Sequence, residues 1–163
     1  MTPQPRRSLA FFWLVVGVAL VALLTGLAIL LFSRSDGSPG AGWVRVGTLD
    51  DLRAKRVVYL AELHAYLVVD PPQSPIALLA RSPRMGEPVE YCPSSDWFED
   101  PAHGSKFDRF GRYELGPAPR GLPRMRTVVL DGVVWVNPSE VTLGPPRGKH
   151  AARPAGPFCT AND

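Results

Sequence analysis

The stretch from Ala80 to Phe107, ARSPRMGEPVEYCPSSDWFEDPAHGSKF, decides how the rest of the chain is read. It contains two short loops punctuated by proline and glycine, Pro83 and Gly86 in the first and Pro101 and Gly104 in the second. Trp97 and Phe98 stand just before the second loop and Phe107 just after it. His103 is a lone histidine followed by Gly-Ser, which reads as hydrogen-bonded loop structure rather than as a haem or zinc ligand. The adjacent acids Glu99 and Asp100 read as a solvated loop, because nothing nearby marks a substrate cleft for an acid–base dyad.

Outward from this stretch, short apolar runs alternate with turn residues. Val44 to Val46, Arg56 to Leu60, Ala65 to Val69 and Ile76 to Ala80 read as strands. Thr48 to Lys55 reads as a helical turn, with Thr48 as N-cap and Asp50 and Asp51 in the first turn. On the other side, Phe110-Gly111 turns the chain between Lys106–Arg109 and Arg112–Leu115. Thr127 to Val136, TVVLDGVVWV, is a hairpin whose Asp131-Gly132 supplies the two positive-φ residues of a tight turn. No internal repeat is evident. Strand spacing of this kind points to an all-β fold, a small sandwich or barrel.

The two loops and their frame resemble the cluster-binding loops of Rieske [2Fe-2S] proteins of the membrane-anchored type. The resemblance rests on Pro83, Gly86, Trp97, Phe98, Pro101, His103, Gly104, Ser105, Phe107 and the Gly-Pro-Ala-Pro of Gly116 to Pro119, and it covers about Val44 to Gly144. In that family a Cys-x-His pair and a later Cys-x-x-His pair hold the two irons. Laid on this chain, those ligands fall on Ser82, Arg84, Asp100 and His103, so three of the four are replaced. Arg84 stays protonated and has no lone pair to give, and Ser82 is a poor hard-oxygen donor. The disulfide that ties the loops in one branch of the family falls on Glu87 and Ala102, so it is lost too.

The resemblance therefore implies a small antiparallel β-sandwich with an inserted loop subdomain between about Arg81 and Arg120, and in it a degenerate site: no cluster, no metal and no catalytic residue. Arg84 and Asp100 would be close in space, and two arrangements follow: an ion pair bridging the loops, helped by Ser82 or Glu87, or two residues that simply face water.

The chain's 163 residues suffice for one domain plus an anchor. A net charge of +3 with arginines scattered among acids shows no basic stripe, which argues against a nucleic-acid partner. No Ser-His-Asp set or phosphate loop stands out, and no enzyme is expected. Residues 1–8 are polar and carry Arg6 and Arg7; residues 9–32 contain no charge and are long enough to cross a bilayer as a single transmembrane helix. Arg6 and Arg7 place the N-terminus in the cytoplasm and the domain on the extracytoplasmic side, a reading preferred to a twin-arginine export signal. Residues 33–42 read as a flexible linker, 43–143 as the Rieske-like domain, and 144–163 as a Pro/Gly-rich tail that is either free or laid along a neighbouring subunit. Cys92 and Cys159 allow at most one internal disulfide, and whether it forms stays open.

Two functions follow as expectations. The first is a redox-inactive accessory subunit of a bacterial respiratory or related electron-transfer complex, with the bilayer and other membrane subunits as partners and with Met85, Trp97 and Phe98 as contact surface. The alternative is a working electron carrier with a rebuilt site, like the Rieske subunit of a quinol:cytochrome c oxidoreductase or of arsenite oxidase. A free-standing binding module at the cell surface is a third reading.

Overall fold

The computed structural model describes residues 7–32, 37–148 and Cys159. The expectations for residues 1–6, including Arg6, for 33–36 of the linker, and for most of the tail lie outside the described residues. The chain divides into two compact units, Met1–Gly37 and Ser38–Asp163.

The first unit holds α1 (Arg7–Phe32), of which Phe11–Ile29 has a mean hydropathy of 2.6 and is long and apolar enough to cross a membrane. Every side chain from Phe11 to Ile29 is exposed, so the helix presents apolar surface all round.

The second unit is built on two antiparallel sheets. Its elements in order are β1 (Val44–Thr48), α2 (Leu49–Lys55), β2 (Val57–Leu60), a 3-10 turn (Ala61–Leu63), β3 (Ala65–Val68), β4 (Ile76–Leu79), β5 (Glu90–Cys92), β6 (Trp97–Glu99), β7 (Lys106–Asp108), β8 (Tyr113–Leu115), β9 (Arg124–Leu130) and β10 (Val133–Thr142). The larger sheet has the order β1-β10-β9-β4-β3-β2 and the smaller β5-β6-β7-β8. The all-β expectation holds. β5 and β6, at three residues each, are too short and too mixed in polarity for the sequence to have marked them as strands.

Local chemistry fixes several elements. Thr48 Oγ1 accepts from Asp51 N (3.3 Å) and donates to Asp51 Oδ2 (2.6 Å), closing the first turn of α2 and turning Leu52 into the core. Asp131 and Gly132 adopt φ of 49° and 75°, and the hairpin pairs Val133 with Leu130.

Alternation along β3 and β4 makes two cores from one pair of strands. Ala65, Leu67 and Ala77 face one core with Leu52, Met125, Val134 and Val136. Val68 and Leu78 face the other, with Val89, Phe98, Phe107, Ala118 and Leu122 from the inserted subdomain. The subdomain between β4 and β9 is thereby seated on the back of the larger sheet.

The expected start of the tail lies within this packing. Gly144 is buried, and a Cβ there would sit 2.0 Å from Gly121 O, so only glycine allows the two backbones to cross. Gly121 N donates to Pro145 O (2.8 Å), and Arg147 donates to Ala118 O (2.7 Å) and Gly116 O (2.8 Å). Residues 144–148 thus continue the fold instead of leaving it, because backbone pairing supplies what their few apolar side chains do not.

Candidate functional site: two matched loops

The loops singled out in the sequence have the same backbone construction. In the first, Ser82 N donates to Glu87 O (2.8 Å) and Gly86 N donates to Ser82 O (2.9 Å). In the second, Asp100 N donates to Ser105 O (2.8 Å) and Gly104 N donates to Asp100 O (2.8 Å). Gly86 and Gly104 hold matching positive φ values of 81° and 73°. The repeat lies in geometry and not in residue identity, which is why no repeat is visible in the sequence.

Ser82 and Asp100 occupy equivalent places, and both are buried. Their side-chain oxygens turn back on their own loops: Arg84 N reaches Ser82 Oγ (3.5 Å), while Ala102 N (3.1 Å) and His103 N (3.0 Å) both donate to Asp100 Oδ1. Asp100 Oδ2 lies 3.5 Å from His103 Nδ1, and these two buried atoms have no hydrogen-bond partner among the described residues. A carboxylate taking two backbone N–H groups is an Asx-type cap, so it organises the loop.

The ion pair weighed between Arg84 and Asp100 is not formed. Arg84 is exposed and makes no salt bridge with a described residue, whereas the Asp100 side chain is wholly buried against its own loop and His103. An exposed arginine would have to lose its hydration to reach the buried carboxylate, and the backbone N–H groups of Ala102 and His103 already hold Oδ1. Glu87 is exposed, and it is its carbonyl that joins the loop.

The proline loop braces the second loop. Gly116 has φ of 94°, and a Cβ there would meet Gly104 O and the Ser105 Cα at 2.6 Å. Ala118 N donates to the buried Ser105 Oγ (3.1 Å). Trp97 and Phe98, expected at a contact surface, are instead core residues at 7% and 0% exposure; only Met85 stands out, at 69%. Both aromatics lie on β6, a central strand of the small sheet, and are covered from its two faces.

Three features were not legible beforehand. Arg109, though charged, is buried and forks between Asp70 Oδ2 (2.7 Å) and Asp96 Oδ2, joining the segment after β3 to the β5–β6 turn. Tyr91 Oη donates to Asp96 Oδ1 (2.6 Å), and Tyr66 packs on Phe98 with ring centroids 5.0 Å apart. Cys92 and Cys159 form a disulfide, the alternative the sequence left open, closing a loop across 67 positions. Its Cα–Cα distance is 5.5 Å.

Burial, and for Tyr91 also the bond to Asp96, push the phenols of Tyr66 and Tyr91 above their ordinary 10.0. The protonated phenol is therefore favoured by folding. The resulting stabilisation is complete below the unfolded-state value and is lost as pH rises through the folded-state values. Stability is expected to decline above about pH 10, with part of that slope removed in Y91F, as read by urea unfolding at a series of pH values.

The donor set does not fit a [2Fe-2S] cluster. Such a cluster takes thiolates on one iron and imidazoles on the other in this type of loop. Here the corresponding groups are a hydroxyl facing its own backbone, an exposed guanidinium, a carboxylate capping its own loop, and one imidazole. The only grouping of three potential metal donors among the described residues is Cys92 of β5, Glu99 of β6 and Cys159.

No family model matches the chain. It is similar to the cytochrome b6-f complex iron-sulfur subunit 2 of Nostoc sp., 32% identical over 85 residues, covering 51% of this chain and 48% of that protein. The subunit of the same name from Trichormus variabilis is 31% identical over 80 residues, covering 48% and 45%. The chain spans about half the length of the curated relatives it matches. Among solved structures, the cyanobacterial plasma membrane Rieske protein PetC3 from Synechocystis is 28% identical, with a TM-score of 0.48, covering 57% of this chain and 97% of that chain.

Proposed function

We propose that this chain, similar over about half its length to iron–sulfur subunits of cytochrome b6-f complexes, is a redox-inactive, membrane-anchored, Rieske-like accessory subunit of an electron-transfer membrane complex. The observation that carries this reading is the self-closure of both loops. Ser82 Oγ and Asp100 Oδ1 are turned to the N–H groups of their own loops, and of the four positions only His103 carries a group that iron in such a cluster takes. The frame is kept as well: the proline loop still braces the second loop, and a disulfide, differently placed from the family's, still ties the subdomain.

In this reading α1 anchors the chain in the bilayer by a single pass, with Arg6 and Arg7 on the cytoplasmic side and the β domain on the other. A disulfide is in keeping with an extracytoplasmic domain. Partner subunits would meet α1, whose surface is apolar on all sides, and the exposed Met85 at the tip of the first loop.

The test is iron and acid-labile sulfide per chain, measured on protein purified gently in detergent, with a low-temperature spin-resonance spectrum of the reduced sample. Expected are no cluster iron and co-purification with larger membrane subunits. Stoichiometric iron and sulfide with a Rieske-type spectrum from this chain alone would overturn the proposal and make it an electron carrier. Purification as a lone species would remove the accessory-subunit reading.

A further inference from the structure

The face of the small sheet turned away from the larger sheet carries chemistry that the loops do not. β5 and β6 pair Cys92 with Trp97 and Glu90 with Glu99, and β7 places Lys106 opposite Glu99. Side chains alternate along a strand, so Cys92, Trp97, Glu99 and Lys106 share one face while Tyr91, Phe98 and Phe107 turn to the core. Cys159 is brought to this face by its bond to Cys92. The two sulfurs and a Glu99 carboxylate oxygen all lie within 4.8 Å of one another.

We propose that the Cys92–Cys159 bond masks a redox-conditional site for a divalent cation of the zinc class, with the two thiolates and Glu99 as its protein ligands. In the disulfide state the sulfurs have no thiolate to offer. A dithiol reductant, itself oxidised to a disulfide, supplies two electrons and two protons and leaves two thiols. A cation then displaces both thiol protons and takes the Glu99 carboxylate as third ligand, with water in the fourth position.

The geometry is suited to this. Two thiolates on tetrahedral zinc, at ~2.3 Å each, lie roughly 3.7 Å apart, so the sulfurs need to separate only slightly to share one ion. Mixed thiolate and carboxylate ligation favours zinc or cobalt over magnesium or calcium. Lys106 tunes the site: its Nζ lies 2.8 Å from Glu99 Oε1, which also accepts from Ser95 Oγ (3.4 Å). The ammonium competes with the cation for that carboxylate. None of these residues is a former cluster position, so the site is independent of the proposed loss of the cluster.

Cobalt(II) is the probe, added under anaerobic conditions to the full chain in detergent after reduction with a phosphine, with near-UV circular dichroism reporting the fold in parallel. Expected is one cobalt per chain with a thiolate-to-metal absorption band, displaced by zinc and absent from the disulfide form. E99Q should weaken binding roughly tenfold or more, K106Q should tighten it, and H103A should bind as the native chain does. Absence of the band after reduction, its persistence in C159S, or its loss in H103A would each overturn the proposal. Loss of the fold on reduction would overturn it equally, because only β6 brings Glu99 to the sulfurs.

Discussion

A C159S variant will unfold about 2–4 kcal/mol more easily than the native chain. The native bond closes a loop across 67 positions, and chain-entropy arguments assign such a closure about 4.4 kcal/mol, an upper figure that measured disulfides commonly fall short of. Cys159 is exposed whereas Cys92 is fully buried, so exchanging the former for serine removes the crosslink and almost no packing. Reduction of the native chain should reproduce the same loss, which separates the crosslink from any effect of the substitution. Urea unfolding followed by near-UV circular dichroism reads both. A loss under about 0.5 kcal/mol in each would mean that the bond contributes nothing to the domain's stability.

Arg109 should give the next largest effect. Its side chain is 7% exposed and bonds Asp70 and Asp96, which come from opposite sides of the junction between the larger sheet and the inserted subdomain. Removing it in R109A leaves two carboxylates facing each other with one cation fewer; Arg56, 4.0 Å from Asp96, is too exposed to replace it. Breaking a buried pair costs about 3–5 kcal/mol, and because Asp70 and Asp96 are partly exposed the expected loss is about 3 kcal/mol. R109K should recover no more than about half of this, since an ammonium cannot fork to two acids as a planar guanidinium does. Equal stabilities of R109A and the native chain would show that each acid is satisfied by water and that the two parts are held by apolar packing alone.

Some of this was fixed by residue order. The apolar run before the linker, the Asp131-Gly132 turn and the capped α2 rest on local rules, so the anchor, the β9–β10 hairpin and the helical turn follow from their own residues. The expectation of replaced ligands rests on residue chemistry in the same way, because a guanidinium cannot ligate wherever the fold puts it.

Other features depended on which atoms arrive first. Arg84 and Asp100 invited an ion pair by charge and expected proximity, yet Asp100 is captured by the N–H groups of Ala102 and His103, two and three residues away. Trp97 and Phe98 could be surface or core by composition; membership of a central strand covered on both faces put them in the core. The contacts of Arg109 span 39 and 13 positions, and those of the disulfide 67, separations at which a sequence carries no local signal. Sequence alone thus determined the apolar N-terminal helix and the β class, since each rests on the chemistry of neighbouring residues. Tertiary structure decided how the two loops close and what ties them to the domain, because those depend on groups that only the folded chain brings together.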